Sequence, residues 1–343
     1  MRTSLALAAI VCSTACGLPD DAEFRGAPPL PQQVTVPFPG VSTMSVRPIR
    51  DVDPPDSPTL PFYYSVTQGM ASLVNSDALL PLSVARVMVQ LPATTRMGLS
   101  RTWGPYAPGG SDPLTYRLVV TQLGDSVFAY TLSARGEPPA SETEFLILLE
   151  GSVSQGDSAG SSKGRMTAFF DNRRKLFPTS CEQGRIDFDY DSLGDPALLD
   201  ITFNQAGSQN PLNRRCKQEP PRSARFHAER SAAGDSSFVF DLRTNIHVTD
   251  PSRPMLETVL LLARWKQSGE GRVDGKIADG EVTSDLRNAG LSERLVSLTQ
   301  CWDEEAGTAF QIATPEPLRI LAKSGDPSLC VPKTQRMPSD DLL

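Results

Sequence analysis

Residues 116–134 read YRLVVTQLGDSVFAYTLSA, and this stretch decides the fold class. Apolar side chains occupy every second position on both sides of a central Gly-Asp-Ser triplet. A period of two is the pattern of a strand with one packed face and one wet face, and Gly-Asp-Ser suits a tight turn. The stretch therefore predicts an antiparallel hairpin. Its alternating apolar residues are Tyr116, Leu118 and Val120 before the turn and Phe128, Tyr130 and Leu132 after it.

The same alternation recurs further along the chain, in RIDFDYD (185–191), LLDITFN (198–204) and SSFVFDLRTNIHV (236–248). Sheets with one packed and one solvated face are typically antiparallel, and short polar turns favour connections between neighbouring strands. We therefore predict a mainly β fold, an antiparallel meander curled into a half-barrel or barrel.

A weak internal repeat divides the pattern. A strand, Gly-Asp-Ser and a second strand occur at 116–134 and again at 223–248. An apolar run and a Gly-Arg pair follow each time, and Gly164 and Gly271 are 107 residues apart. This indicates two similar halves, 61–216 and 217–332, of one β-rich domain spanning 61–332. Chance similarity among plain hairpins is the alternative interpretation.

Helical signal is sparse. The best candidate is MASLVNSDALLPLSVARVMVQL (70–91), where Pro81 either divides the helix or starts its second part. Proline is tolerated in the first turn of a helix but not in its interior. One short helical segment is therefore expected to pack on the sheet or to plug it.

The N-terminus predicts export. A single positive charge at Arg2, a short apolar stretch and the small residues 13–15 describe a signal peptide over 1–15. Cys16 follows directly, as in the lipobox of bacterial lipoproteins, which predicts its lipidation. An ordinary cleaved signal is the alternative. The proline-rich residues 16–60 are interpreted as a tether, and 333–343 as a flexible tail.

The charge balance argues against nucleic acid as a partner. The net charge is −7, and the basic clusters RRKLF (173–177) and NRRCK (213–217) are short enough to be solvated loops. No later segment has the roughly 20 apolar residues that a membrane-spanning helix needs. The predicted contact with a membrane is the lipid on Cys16.

Four cysteines remain in the exported chain if Cys16 carries lipid. An even number in an oxidising compartment predicts disulfides, and four thiols allow three pairings. Cys181–Cys216 and Cys301–Cys330 are favoured because each pair brackets a local hairpin. Zinc is the competing use of the four thiols, but no CxxC spacing is present.

Two motifs suggest chemistry that the rest of the sequence does not support. Gly-Asp-Ser resembles the nucleophile block of one hydrolase class, but it occurs three times, as hairpin turns require, and His227 and His247 lie in strand patterns. DFDYD (187–191) resembles the start of a calcium loop, yet it lacks the later glycine and glutamate. We therefore predict no catalytic residues, no metal and no cofactor. DGKIADGE (274–281) is interpreted as turn residues.

The order WGPY (103–106), YRLVVT (116–121), GEGRVD (269–274), QCWD (300–303) and GDPSLC (325–330) resembles a group of uncharacterised secreted or lipid-anchored proteins of myxobacteria. The resemblance covers about 60–332. It implies a β-rich envelope protein with a Cys301–Cys330 link and an extracytoplasmic location, and it implies no activity. Gln300 stands where such proteins often carry glutamate, which weakens a catalytic interpretation further.

The sequence thus predicts a non-enzymatic lipoprotein of the cell envelope, in the outer membrane, with a structural or interaction role. The alternative is a carrier that holds a lipid or another apolar ligand in the concave face of the sheet. A cavity larger than side chains can fill would favour the carrier, and a plugged core the interaction role.

Overall fold

A computed structural model describes residues 30–31, 64, 67–68, 80–109, 112–136, 145–158, 161–208, 210, 212–213, 216, 219–244, 252–305, 307–314 and 324–330. The signal peptide, Cys16, the tail 333–343 and the helix prediction for 70–79 lie outside these residues. Of the predicted tether, only Leu30 and Pro31 are described.

The described residues form one sheet in which every strand pairs antiparallel with its sequence neighbours. The strands are β1 (Thr95–Met97), β2 (Ser100–Tyr106), β3 (Thr115–Gly124), β4 (Val127–Arg135), β5 (Leu146–Gln155), β6 (Ser162–Phe169), β7 (Glu182–Asp191), β8 (Ala197–Ser208), β9 (Glu219–Arg230), β10 (Ser236–Thr244), β11 (Glu257–Trp265), β12 (Gly271–Ala278), β13 (Leu295–Trp302), β14 (Thr308–Thr314) and β15 (Ser324–Gly325).

The sheet is curved and open. β1 and β15 are its two edges, and no pairing joins them within the described strands. The predicted mainly β meander is therefore confirmed, and of its two forms the half-barrel is the one observed. Both edge strands are very short, which limits pairing with other chains.

Alternation along each strand separates an inner, apolar face from an outer, polar face. In β7, Ile186, Phe188 and Tyr190 are buried on the inner face, while the aspartates between them lie on the outer face. Each fully buried side chain of this kind contributes about 1.5–3 kcal/mol to folding. The inner face is therefore the core of the domain.

Three α-helices with described bounds accompany the sheet. They are α1 (Leu80–Met88), α2 (Phe170–Leu176) and α3 (Gly280–Asn288). α1 is the described part of the predicted helix. Pro81 lies in its first turn, which agrees with the prediction that this proline starts a helical segment. α2 and α3 were not predicted, and the interpretation of RRKLF as a loop is wrong.

The buried faces of α2 and α3 explain why they form. Phe170 anchors α2 against the core, and its three basic residues lie in the last turn, where they favour the helix dipole. Val282 and Leu286 of α3 are four residues apart and are both buried on one face. DGKIADGE was interpreted as turn residues, but β12 runs through 274–278, so that interpretation is wrong for this part.

The order of elements repeats. In the first half (β3–β8) and the second half (β9–β14), a helix follows the fourth of six strands. Counterparts lie at similar spacing: Thr115 and Glu219, which begin β3 and β9, are 104 residues apart, and Glu182 and Leu295, which begin β7 and β13, are 113 apart. The order of elements is therefore the same in β3–β8 and in β9–β14, and the division of the domain into 61–216 and 217–332 stays a prediction.

The three Gly-Asp-Ser triplets all fall at tight connections. They lie between β3 and β4, between β5 and β6, and between β9 and β10, at the same end of the sheet. Gly234 has a φ of +89°, a left-handed conformation that glycine adopts without strain. The prediction that these triplets are turns is confirmed.

Candidate functional site

The inner face is filled by side chains and covered by elements from the N-terminal part. Leu82, Ala85 and Met88 of α1 are buried in the same core as Leu30 and Tyr64. A cavity that holds a lipid chain would leave exposed surface on its lining. Several inner-face residues in both halves have no exposed surface at all: Leu118, Val120, Leu132, Val153, Phe238 and Val296.

Two glycines of the first half lie under tyrosines of the neighbouring strands. Gly151 of β5 pairs with Tyr130 of β4, and Gly164 of β6 pairs with Tyr190 of β7. A Cβ on Gly151 would lie 2.5 Å from the Tyr130 hydroxyl, and one on Gly164 would lie 2.7 Å from the Tyr190 hydroxyl. Glycine is therefore required where each ring crosses the strand.

Both tyrosine hydroxyls are buried without a hydrogen-bond partner among the described residues. Burial raises the pKa of Tyr130 and the pKa of Tyr190, so both hydroxyls stay protonated and remain donors. An unpaired buried hydroxyl costs about 1–3 kcal/mol. Such groups call for an explanation beyond packing.

A charged side chain, Arg86, lies on the helix that covers this face. Leu82, one helical turn earlier on the same side of α1, is fully buried in the core that also contains Tyr130 and Tyr190. Arg86 is half-buried, and its Nε donates to the carbonyl oxygen of Pro31 at 3.1 Å, with Nη2 donating to the same oxygen. Burial lowers the pKa of Arg86. Sequence reasoning missed this cluster. The available signal was one arginine within the apolar helix LPLSVARVM.

The second half uses the same arrangement without hydroxyls. Gly271 of β12 pairs with Trp302 of β13, whose ring covers the glycine. The Trp302 Nε1 donates to the Gly269 carbonyl at 2.9 Å, and Tyr64 packs edge-on at 5.2 Å between ring centroids. The one polar atom of the Trp302 ring is therefore satisfied.

The outer face carries His227 between two carboxylates. Its Nδ1 lies 2.6 Å from Asp200 of β8, and its Nε2 lies 3.1 Å from Glu229. Burial lowers the pKa of His227, but the hydrogen bonds and charges of Glu229 and Asp200 outweigh it, so the pKa is above 6.5. His227 is thus a hydrogen-bonded surface histidine, and it lies in a strand, as its sequence pattern predicted. His247 lies outside the described residues.

The aspartates of DFDYD are held by neighbours on the outer face. Asp187 accepts hydrogen bonds from Thr167 at 2.8 Å and from Asn204 at 2.7 Å, and Asp191 forms an ion pair with Lys163 at 3.1 Å. Within the described ranges, no group of three or more His, Cys, Asp or Glu side chains is arranged to hold a metal ion.

The Gly-Asp-Ser serines are not paired with a histidine where the structure describes them. Ser158 donates to Ser161 at 2.8 Å, and Ser236 donates to the Gly234 carbonyl at 3.4 Å, so both serve their own turns. The described histidine, His227, engages only carboxylates in its hydrogen bonds. Among the described residues, these turn serines and His227 form no pair of nucleophile and base.

The six hairpin turns from β3 to β14 lie at one end of the sheet, and each carries at least one carboxylate. Some of these side chains link adjacent turns: Asp195 accepts from the Ala232 amide at 2.9 Å and Asp235 from the Gln267 amide at 3.4 Å. This end of the domain is therefore acidic, and part of the charge orders the turns themselves.

Both favoured disulfides are formed. Cys181 joins Cys216 beside β7 and β8, with 5.3 Å between their Cα atoms. Cys301 of β13 joins Cys330 beyond β15, with 5.4 Å between their Cα atoms. The second bond fixes the C-terminal edge of the sheet, since β15 is only two residues long.

No family model, curated protein or solved structure matches the chain. In the part of the chain that the structure describes, no helix has the length and apolar character needed to cross a bilayer.

Proposed function

We propose that this protein is an exported lipoprotein of the cell envelope, anchored through Cys16, that acts as a non-enzymatic interaction or structural protein. The outer membrane is the proposed location. The resemblance to secreted or lipid-anchored myxobacterial proteins agrees with this assignment.

The observation that carries the proposal is the filled inner face. Residues such as Leu118 in the first half and Phe238 in the second have no exposed surface. A carrier needs a cavity in this place, whereas an interaction protein presents its outer surface. The polar outer face and the acidic turn end are the surfaces available to a partner, and such a charge distribution steers association with a basic partner.

The two disulfides support an oxidising compartment. Reducing conditions of a cytosol would leave four thiols, two of which, on Cys216 and Cys301, are buried. An exported domain held by lipid at Cys16 would keep both bonds. This agreement between anchor and disulfides is a second, weaker support.

The carrier is the second candidate function. One observation favours it, the buried hydroxyls of Tyr130 and Tyr190 on the inner face that α1 covers. These are polar groups of the kind that orient a ligand within an apolar site.

The experiment is native purification from membranes, with mass spectrometry of the intact protein and comparison with Cys16→Ala. We expect an acylated N-terminal cysteine, two disulfides and proteins crosslinked to the outer face, and we expect Cys16→Ala to leave the membrane fraction. Recovery of unprocessed chain from the cytosol with reduced cysteines would overturn the proposal. A stoichiometric lipid inside the folded domain, with no crosslinked partner, would favour the carrier instead.

A further inference from the structure

The inner face of the first half contains a set of hydrogen-bond donors that the interaction role does not use. Tyr130 and Tyr190 are 1% and 5% exposed, and neither hydroxyl finds an acceptor among the described residues. Phenol hydroxyls buried in this way are stable only if something else offsets the lost hydration.

The register brings the two hydroxyls together. Gly151 pairs with Met166 on β6, and Gly164 lies two residues from Met166 on the same strand. The two glycines are therefore diagonal neighbours, roughly 7–8 Å apart, and each tyrosine hydroxyl lies over its glycine. One small group placed between the hydroxyls could accept from both.

The Arg86 guanidinium is occupied by an acceptor from the chain itself. Its Nε and Nη2 both donate to the Pro31 carbonyl oxygen. This edge of a guanidinium matches two oxygens of a carboxylate or phosphate, which form shorter and stronger bonds than a neutral carbonyl. The Pro31 carbonyl thus stands where an oxyanion would bind better.

We propose that Arg86, Tyr130 and Tyr190 form a binding site for the oxyanion headgroup of an amphiphile, a carboxylate or phosphate bearing an apolar tail. The headgroup displaces the Pro31 carbonyl, and Leu30 withdraws with it. The tail then takes the place in the core that Leu30 leaves. No covalent step is involved.

The second half of the sheet lacks the unpaired donor that Tyr190 supplies in the first half. Trp302 occupies the position that corresponds to Tyr190, and its single donor is already bonded to Gly269. The proposed site therefore occurs once in the repeat. The inference goes beyond the interaction role, because a lipid-anchored interaction protein needs no internal ligand.

The test measures binding to the purified mature protein by titration calorimetry, with probes that share one tail. Laurate and dodecyl phosphate supply the two oxyanions, dodecanol supplies the tail without charge, and inorganic phosphate supplies charge without a tail. We expect one equivalent of laurate or dodecyl phosphate to bind at least about tenfold more tightly than dodecanol or inorganic phosphate. The tighter of the two oxyanions identifies the headgroup. Equal binding of laurate, dodecyl phosphate and dodecanol overturns the proposal.

Variants separate this site from non-specific adsorption. Arg86→Met is expected to weaken oxyanion binding about a hundredfold, and Tyr190→Phe about tenfold. Tyr190→Phe should leave Tm unchanged or raise it by about 2 °C, because it removes an unpaired hydroxyl. A structural role alone does not predict weaker binding together with equal or higher stability.

Tyr116→Phe is the matched control. The Tyr116 hydroxyl already donates to Asp112 at 2.7 Å, so its loss should lower Tm and leave oxyanion affinity unchanged. If Arg86→Met does not fold, the double variant Tyr130→Phe with Tyr190→Phe decides the matter. Laurate and dodecyl phosphate affinities equal to those of the unmodified protein in that double variant overturn the site, and the proposed anchoring and interaction role would stand.

Discussion

The two halves of the sheet share one backbone arrangement but place different aromatic side chains in it. In each half, a Gly-Arg pair on the fourth strand places a glycine beneath an aromatic ring of the fifth strand. Gly164 lies beneath Tyr190, and Gly271 lies beneath Trp302. The backbone arrangement is therefore shared, and the difference lies in the polar atoms of the rings.

The indole of Trp302 is satisfied and the phenol of Tyr190 is not. Trp302 donates to Gly269 and contacts Tyr64, whereas the Tyr190 hydroxyl has no acceptor among the described residues. The ring over Gly271 is thus satisfied at its one polar atom. The hydroxyls of Tyr130 and Tyr190 in the first half are not, which costs stability and indicates a use other than packing.

The largest expected effect comes from deleting the rings. Trp302→Ala should lower the free energy of unfolding by about 3–5 kcal/mol, because it leaves a large cavity over Gly271 and removes a hydrogen bond. Tyr190→Ala should cost about 1 kcal/mol less, since its hydroxyl contributes no bond. Chemical denaturation measures both. Leu329→Ala is the control, because this side chain is 64% exposed. Equal losses for the two rings would contradict the comparison.

Removing either disulfide should lower the free energy of unfolding by nearly the same amount. The closed loops span 35 and 29 residues, and chain entropy predicts about 3–4 kcal/mol for each. The two disulfides differ in the part of the sheet that becomes mobile when each is removed. Replacing Cys301 and Cys330 with serine should speed hydrogen exchange of the Asp326 amide, which donates to Ala309 at 3.1 Å. Replacing Cys181 and Cys216 should leave that amide protected. Unchanged exchange in both variants would show that β15 is held without its disulfide.

A smaller and more diagnostic effect is expected when each ring becomes phenylalanine. Trp302→Phe should lower stability by about 2 kcal/mol, because the bond to Gly269 and part of the ring volume are lost. Tyr190→Phe should raise stability by up to about 1 kcal/mol. The free energies of unfolding are compared under identical conditions, and Tyr130→Phe should follow Tyr190→Phe in sign. A loss of stability in both tyrosine variants would mean that their hydroxyls have acceptors.

The smallest effect concerns the junction of the halves, where His227 of β9 meets Asp200 of β8. The folded-state pKa of His227 is raised, so its stabilising contribution is complete below the unfolded value of about 6.5 and is lost as the pH rises through the folded value. The group is partly exposed, so we expect only a few tenths of a kcal/mol. His227→Gln should flatten the pH dependence of unfolding above about pH 6.5, where the unmodified protein loses this contribution. An unchanged slope would show that the ion pair contributes nothing to the junction.

The strands and turns were predictable because their signals are local. Alternation in β7 is set by successive residues, and Gly-Asp-Ser marks its own turn. The pairing of Cys181 with Cys216 followed because a short hairpin brings neighbours in sequence together. These predictions needed no knowledge of distant contacts.

The helices α2 and α3 and the inner cluster could not be predicted because their signals are tertiary. α2 is a seven-residue helix fixed by the burial of Phe170, and its basic residues resemble those of a loop. Gly275 looks like a turn residue in the sequence, yet it lies within β12 because Leu298 of the adjacent strand fills the space above it. The packing of α1 on the core that contains Tyr130 depends on how the helix lies over the sheet, which no local pattern encodes.

The purely sequential pairing of the strands has a consequence for how the chain reaches this state. Each of the described strands bonds only to the strand before it and the strand after it, so the contact order is low and each ladder closes over a short loop. A polypeptide delivered from its N-terminus can therefore add each new strand to an edge that already exists. Cys330 follows β15, the last of the described strands. Its bond to Cys301 can therefore form only after the preceding strands have been delivered.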